Sequence, residues 1–138
     1  MNTYQHRSYI EVLRAHGIRP LNHRVAVYEY LAKHPVHPTA DQIYTDLRKN
    51  MASISRTTVY NVLHLLAEKN VITPITIDPK ELRFDANTHE HVHFLCEKCH
   101  RVFDLESMEN QPNVSVPDGF SVSSVALYVK GTCPACSD

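Results

Sequence analysis

The stretch SRTTVYNVLHLLAEKN, residues 55–70, decides the fold of the N-terminal half of this chain. Ser55 is a favoured residue at a helix N-cap, and Asn70 tolerates the left-handed conformation that often closes a helix. Between them, apolar residues recur at the spacing of one helix face: Val59, Val62, Leu63, Leu65 and Leu66. The stretch therefore predicts an amphipathic helix with a buried apolar face and an exposed polar N-terminal end.

Three further helices are predicted before this one. The first runs from Thr3 to His16, and Gly17 supplies the left-handed residue that ends it. The second runs to Lys33 with Asn22 as its cap, and the third begins at its cap Thr39. Two prolines between the second and third helices keep them separate.

After residue 70 the apolar pattern changes from helical spacing to alternation. Val71–Ile77 is rich in β-branched residues, Asp78–Pro79–Lys80 is typical of a turn, and Glu81–Ala86 resembles a second strand. A β-hairpin that follows four helices predicts a winged helix-turn-helix domain in residues 1–86.

Residues 87–138 predict a second, smaller domain of mixed α/β structure. Strands are expected at His91–Cys96, Arg101–Leu105 and Ser121–Val129. Prolines at 112 and 117 leave room for only a short helix between Ser107 and Gly119. The chain is therefore expected to be an α+β protein with a hinge at about residues 85–91.

Charge is divided unevenly along the chain although its net value is only −1. Residues 1–70 carry a net +4 and residues 71–138 a net −5. The basic half is a candidate DNA-binding module, whereas the acidic half contains most candidate metal ligands. No apolar run approaches the length of a membrane span, so we expect a cytoplasmic protein with no membrane partner.

The four cysteines form two CxxC pairs, Cys96 with Cys99 and Cys133 with Cys136. Each pair can donate two thiolates to one tetrahedral zinc ion, and four thiolates leave no position open for catalysis. A pair of disulfides or free buried thiols is the alternative, which the cytoplasmic interpretation disfavours. The spacing therefore predicts a structural zinc ion whose loss unfolds the C-terminal half.

A second group of metal-ligand types surrounds the first CxxC pair. His91 and His93 alternate on a predicted strand, so both imidazoles face the same side. Asp85 and Asp104 are candidate oxygen donors, and His37 lies in a proline-flanked loop of the other domain. Spacing alone supports only the two strand histidines, because exposed histidines and solvated aspartates are commoner than ligands.

Several motifs together resemble the ferric uptake regulator (Fur) family over nearly the whole chain. These motifs are HPTADQIYTDL, SRTTVYNVLHLL, LRFD, HVHFLCEKC, RVFDLE and the terminal CPAC. The resemblance implies a homodimeric winged-helix repressor, not an enzyme, with a C-terminal dimerisation domain at residues 87–138. It also implies a structural zinc site at the four cysteines and a regulatory metal site whose ligands are His37, Asp85, His91, His93 and Asp104.

Two features resemble the peroxide-sensing branch of that family, called PerR. Asp85 and Asp104 stand where iron regulators usually have glutamates, and Asn61 stands where they more often have arginine. The resemblance implies a site for Fe²⁺ or Mn²⁺, which Zn²⁺ can also occupy in vitro. With iron, hydrogen peroxide would oxidise His37 or His91 and release the DNA. A regulator of iron, zinc or manganese homeostasis remains an alternative.

The predicted DNA contacts lie mainly at the start of the helix at residues 56–70. Base or phosphate contacts are expected from Arg56, Thr57, Thr58, Tyr60 and Asn61, with Arg19 and Arg24 as phosphate anchors. The expected partner is double-stranded operator DNA with an AT-rich palindrome. Each arginine could instead lie on a solvated helix face, and the histidine–carboxylate set also fits a non-haem iron enzyme or metal-dependent hydrolase.

Overall fold

The helix predicted from residues 55–70 is present as α4, Arg56–Glu68, in a computed structural model of the chain. The structure describes residues 3–86, 92–105, 114–123 and 125–137, with side chains from residue 8 onward. These residues form two compact units, Met1–Thr88 and His89–Asp138. Residues 87–91 lie outside the description, so the predicted boundary at 86/87 stays a prediction.

The first unit contains four helices followed by a two-stranded hairpin. The helices are α1 (Thr3–Ala15), α2 (Asn22–Lys33), α3 (Ala40–Leu47) and α4, and the strands are β1 (Thr73–Ile75) and β2 (Arg83–Asp85). The strands pair antiparallel, with Thr73 opposite Asp85. This order is the predicted winged helix-turn-helix arrangement.

One apolar cluster at the centre of the first unit receives side chains from all four helices. Its most buried members are Leu13, Val27, Ile43, Val59, Leu63 and Leu66, each no more than 1 % exposed. Three of these lie on the face of α4 that the sequence predicted to be buried. Burial of this face therefore holds α4 in place and leaves its polar side facing solvent.

Helix caps agree with the sequence at two positions and correct it at a third. Thr39 forms a capping box with Gln42, and the Ser55 side chain accepts from the N–H of Thr58. The expectation that Asn22 caps α2 was wrong. Leu21, in extended conformation, holds the N-cap position without a side-chain hydrogen bond, and Asn22 is already helical.

The second unit is built on three strands, β3 (Val92–Cys96), β4 (Val102–Leu105) and β5 (Tyr128–Gly131), followed by a short 3-10 helix, Pro134–Cys136. The strand order is β4-β3-β5. β4 pairs antiparallel with β3, whereas β5 pairs with it parallel. The predicted third strand, Ser121–Val129, was wrong in its bounds because pairing with β3 begins only at Tyr128.

Two expectations for the second unit fall partly outside the described residues. The short helix proposed between residues 107 and 119 is one of them, since residues 106–113 are not described and residues 114–117 are not helical. The strand position of His91 is the other. Within the part of the chain that the structure describes, no helix is long and apolar enough to cross a membrane.

Candidate metal centres

The four cysteines meet because β3 and β5 run parallel. Cys96 is the last residue of β3 and pairs with Gly131 at the end of β5. Parallel neighbours end at the same edge of the sheet, so the two CxxC turns leave that edge side by side. The N–H of Glu97 donates to the carbonyl of Gly131 at 2.8 Å and continues the pairing into the first turn.

The sulfur atoms of Cys96, Cys99, Cys133 and Cys136 all lie within 4.8 Å of one another. All four are free thiols, so no disulfide joins them. The Sγ atoms of Cys99 and Cys133 are 3.8 Å apart, and two sulfurs bound at about 2.3 Å to one tetrahedral zinc ion lie about 3.8 Å apart. The tetrad therefore fits the geometry of a structural zinc site.

Backbone N–H groups at this site stabilise the negatively charged thiolate of Cys96. The N–H groups of Cys99 and Cys133 point at the Cys96 sulfur, from 3.5 and 3.4 Å. Together, the Cys99 donor first, they lower the pKa of the Cys96 thiol to about 6. Hydrogen bonding to the Cys133 sulfur, with burial, raises the pKa of Cys136 to about 12 in the absence of metal. A cation is therefore needed before all four cysteines can be thiolates together.

A histidine–aspartate pair lies in the first unit. Nε2 of His37 is 3.4 Å from Oδ2 of Asp85, and the two side chains are only 2 % and 6 % exposed. His37 lies in the loop between α2 and α3, whereas Asp85 ends β2. Two donor atoms that share one ion at about 2.1 Å lie about 3.0–3.4 Å apart, so the spacing suits a shared cation.

A second pair, of the same composition, lies in the second unit. Antiparallel pairing sets His93 on β3 opposite Asp104 on β4. Nε2 of His93 is 3.4 Å from Oδ1 of Asp104, and the side chains are 9 % and 19 % exposed. The Tyr128 ring from β5 lies beside the imidazole, with 6.0 Å between ring centroids. The sheet register thus produces the pair directly.

Each pair offers one imidazole nitrogen and one carboxylate oxygen. This donor combination suits Fe²⁺, Mn²⁺ and Zn²⁺. Each pair alone supplies only two ligands, fewer than the four or more that a firmly held ion needs. His91, the fifth predicted ligand, lies outside the described residues. The assignment of these residues to one regulatory ion stays a prediction.

The N-terminal half of α4 presents its polar residues to solvent. Arg56, Thr57, Tyr60 and Asn61 are exposed, and Tyr60 retains 51 % of its surface accessible. Thr58 is half-buried. A cleft of about 240 Å³ separates this face from the start of α2 and is lined by His23, Arg24, Thr58, Asn61, Val62 and Leu65.

The three arginines predicted to contact DNA differ in their surroundings. Arg19 is exposed, and its carbonyl accepts a 3.2 Å hydrogen bond from Nη1 of Arg24. Arg56 forms an ion pair with Asp41 of α3, and its guanidinium lies 4.7 Å from the centroid of the Tyr44 ring. The predicted role of each in DNA binding stays a prediction.

Arg83 lies beside the His37–Asp85 pair and was not among the predicted site residues. Its Nη1 donates to the carbonyl of His37 at 3.1 Å. The available sequence feature was its position two residues before Asp85, which places both side chains on one side of a strand.

Comparison with known proteins identifies the family. Residues 15–130 match the Ferric uptake regulator family. The chain belongs to this family. It is therefore a regulator and not an enzyme, as the sequence predicted.

Individual relatives are similar over nearly the full length of this regulator. The peroxide-responsive repressor PerR of Staphylococcus aureus strain Mu50 is 33% identical over 132 residues, which cover 94% of this chain and 89% of the relative. The structure of PerR from Streptococcus pyogenes, described for peroxide sensing and gene regulation, superposes with a TM-score of 0.54 at 29% identity, covering 96% of this chain and 92% of that one.

The ferric uptake regulator Fur of Helicobacter pylori has the same fold. It superposes with a TM-score of 0.72 and covers 95% of this chain and 93% of that one. That protein has three functional metal binding sites, but its 18% identity relates it to this chain by fold alone. The α+β winged-helix fold class predicted from the sequence is thereby confirmed.

Proposed function

We propose that this regulator is a dimeric, metal-dependent transcriptional repressor that senses hydrogen peroxide. The observation that carries the proposal is the presence of two histidine–aspartate pairs, each within one compact unit: His37 with Asp85, both buried, and the buried His93 with the partly buried Asp104. The similarity to peroxide-responsive repressors at 33% identity supports it. A structural zinc ion held by the four cysteines would stabilise the second unit.

One Fe²⁺ or Mn²⁺ ion would take both pairs together with His91 as its ligands. Neither pair can bind an ion firmly alone, so affinity depends on both units contributing at once. An ion with such a divided ligand set favours only the arrangement of the units that completes the set. The size of the resulting population shift is limited by the difference in metal affinity between arrangements.

The metal-favoured arrangement would present α4 to operator DNA in the cytoplasm. Thr57, Tyr60 and Asn61 are exposed on the face of α4 that a recognition helix inserts into the major groove. Asn61 can pair with N6 and N7 of adenine, and Tyr60 can contact a thymine methyl group. A homodimer would present two such helices, so a palindromic, AT-rich operator is expected.

Release from DNA would follow from oxidation of a ligand histidine. Ferrous iron, when bound, supplies the reductive cleavage of the O–O bond of hydrogen peroxide. The Cε1–H bond of His37 or His91 would break as one peroxide oxygen forms a carbon–oxygen double bond there, and its proton would pass to the unprotonated ring nitrogen. The other peroxide oxygen would leave as water, so the imidazole supplies both electrons and the iron would be ferrous again at the end. The product, 2-oxo-histidine, has no free nitrogen lone pair in the ring plane, so it no longer serves as a ligand.

Metal-dependent DNA binding tests the repressor part of this proposal. An operator sequence is first selected from random duplexes with zinc-loaded, Mn²⁺-saturated protein. Fluorescence anisotropy then compares binding with Mn²⁺ and after Mn²⁺ removal that leaves the zinc in place. We expect binding only with Mn²⁺, and none at the same Mn²⁺ concentration for Asp85→Ala. Equal binding by metal-free and Mn²⁺-loaded protein would contradict a metal-dependent repressor.

Peroxide dependence separates the sensor from a regulator of metal homeostasis. The Fe²⁺-loaded protein on its operator should dissociate after about one equivalent of hydrogen peroxide, and fresh Mn²⁺ should not restore binding. The Mn²⁺-loaded protein should stay bound under the same treatment. If both forms stay bound and respond only to metal removal, the protein is a metal-homeostasis regulator instead.

A further inference from the structure

Arg83 of β2 makes contacts in two directions within the first unit. Its Nε and Nη2 atoms both lie 3.3 Å from Oδ2 of Asp78, and its Nη1 donates to the carbonyl of His37 at 3.1 Å. The side chains of Arg83 and Asp78 are only 12 % and 7 % exposed. A planar guanidinium can make both contacts at once, whereas the single ammonium group of lysine cannot reproduce this geometry.

Asp78, the first partner of Arg83, lies in the turn between β1 and β2. These two strands form the hairpin that is the wing of the winged helix-turn-helix domain. Oδ1 of Asp78 accepts the N–H of Lys80 at 2.9 Å, which closes the turn between β1 and β2. Burial raises the pKa of Asp78, but the Lys80 N–H and the charge of Arg83 outweigh it, so the pKa lies below its usual value. The turn is thus fixed to Arg83 by an ionised, largely buried carboxylate.

His37, the second partner of Arg83, lies in a loop of unusual backbone conformation. His37 has a φ of +56°, in the left-handed region that few residues other than glycine adopt. β2 holds this loop at two points, since the N–H of Phe84 donates to the carbonyl of Pro38 at 3.1 Å next to the Arg83 contact. The strand then presents Asp85 to the His37 imidazole.

We propose that Arg83 is a positioning residue that couples the wing turn to the regulatory metal site. Its hydrogen bond to the His37 carbonyl fixes the position of the imidazole relative to Asp85. Its contact with Asp78 makes that position depend on the conformation of the turn between β1 and β2. This inference rests on the proposed function, in which His37 and Asp85 are metal ligands. Partners that orient a ligand in this way typically change metal affinity by about 10- to 100-fold.

The test is Mn²⁺ titration of the zinc-loaded, full-length protein, followed by the electron paramagnetic resonance of free Mn²⁺. The variants are Arg83→Gln, Arg83→Lys, Asp78→Asn and the double variant Arg83→Gln/Asp78→Asn. Arg14→Gln, the same change at an exposed arginine of α1, is the matched control. His37→Ala reports separately on the proposed function.

We expect Arg83→Gln to raise the Kd for Mn²⁺ about tenfold, with Arg83→Lys in between and Arg14→Gln unchanged. Asp78→Asn should weaken Mn²⁺ binding in the wild-type background but add nothing to Arg83→Gln, because both remove the same link. A purely structural effect would instead make the two losses additive, and this outcome overturns the coupling.

An unchanged Kd for Arg83→Gln also overturns the proposal. If that variant does not fold, Asp78→Asn decides alone. Its one remaining side-chain oxygen can still accept the N–H of Lys80, whereas the amide nitrogen in place of Oδ2 cannot accept from Arg83. An unchanged Kd for Asp78→Asn then rejects the coupling. If His37→Ala binds Mn²⁺ as the wild type does, the proposed regulatory site fails, whatever the Arg83 variants show.

Discussion

Arg56 shows how a single exposed side chain can serve either the fold or the DNA. It begins α4, where a phosphate contact is predicted, yet it is paired with Asp41 and lies over the Tyr44 ring. Both partners of the ion pair are more than half exposed, at 57% and 52%, so the pair contributes little to stability. Asp41 holds this guanidinium in the absence of DNA, so it would compete with a DNA phosphate for Arg56 when DNA binds.

Substitution of Asp41 tests this competition. Asp41→Asn should release Arg56 to a phosphate and steepen the dependence of log K on log salt by about 0.9. Anisotropy titrations from low to moderate salt measure the slope. The double variant Asp41→Asn/Arg56→Gln is the control and should lose the steepening. If Asp41→Asn leaves the slope unchanged, the Arg56 guanidinium either remains over the Tyr44 ring of α3 or already contacts DNA in the wild type.

Residue types predicted the cluster of four cysteines better than the histidine–aspartate pairs. Each CxxC motif places two cysteine ligands within four residues, so the sequence alone indicated which cysteines belong together. The pairing of Asp104 with His93 depends on the β3–β4 register, which a sequence pattern does not provide. The contact of His37 with Asp85 depends on a loop reaching a strand far along the chain, so only the family resemblance indicated it.

At the scale of elements, two helices end in the same hydrogen-bonding motif. Gly17 after α1 and Asn70 after α4 have φ values of +73° and +60°. The next residues, Ile18 and Val71, each donate to a carbonyl five positions earlier at 2.9 Å. Both also pack into the apolar core of the first unit. Because this motif ends α4 at Asn70, the chain passes directly from α4 to β1, which begins at Thr73.

Alanine at either closing residue should destabilise the first unit. A left-handed alanine costs about 1 kcal/mol more than the native residue. Among the described residues other than its chain neighbours, none has an atom within 4 Å of a Cβ added at Gly17, so the expected loss there is conformational. Thermal unfolding followed by circular dichroism should show lower midpoints for Gly17→Ala and Asn70→Ala. Asn70→Gly is the control and should stay near wild type. Equal midpoints for all three variants would contradict this account.

Element bounds were less predictable than element types. The wing strands were expected at Val71–Ile77 and Glu81–Ala86, but only Thr73–Ile75 and Arg83–Asp85 pair. Val71 and Ile72 are apolar because they lie in the helical core, not because they belong to a sheet. A β-branched run therefore overestimated the strand, since burial alone accounts for part of it.

At the scale of the whole molecule, the two units depend on different sources of stability. The first has a continuous apolar core drawn from four helices. Among the described residues of the second, the buried aliphatic side chains are Val92, Leu95 and Val102. The described part of the second unit therefore has a small apolar core, and we expect a zinc ion at the four cysteines to contribute to its stability.

Removal of zinc should therefore unfold the second unit selectively. Cys99→Ser, or a strong chelator under reducing conditions, should abolish amide protection in β3, β4 and β5 and leave α2 and α4 protected. Hydrogen exchange with mass spectrometry resolves these segments. Ser123→Ala, at an exposed serine of the second unit, is the control and should keep the protection. Retained protection of all three strands in zinc-free protein would show that zinc is not required.

Peptide mass spectrometry shows whether a bound iron directs peroxide to a ligand histidine. Anaerobic Fe²⁺-loaded protein is exposed to about one equivalent of hydrogen peroxide, with Mn²⁺-loaded protein as the control. We expect one added oxygen on the peptides that contain His37 or His91, only with iron and in proportion to lost DNA binding. Lost DNA binding with no oxygen on either histidine would contradict it.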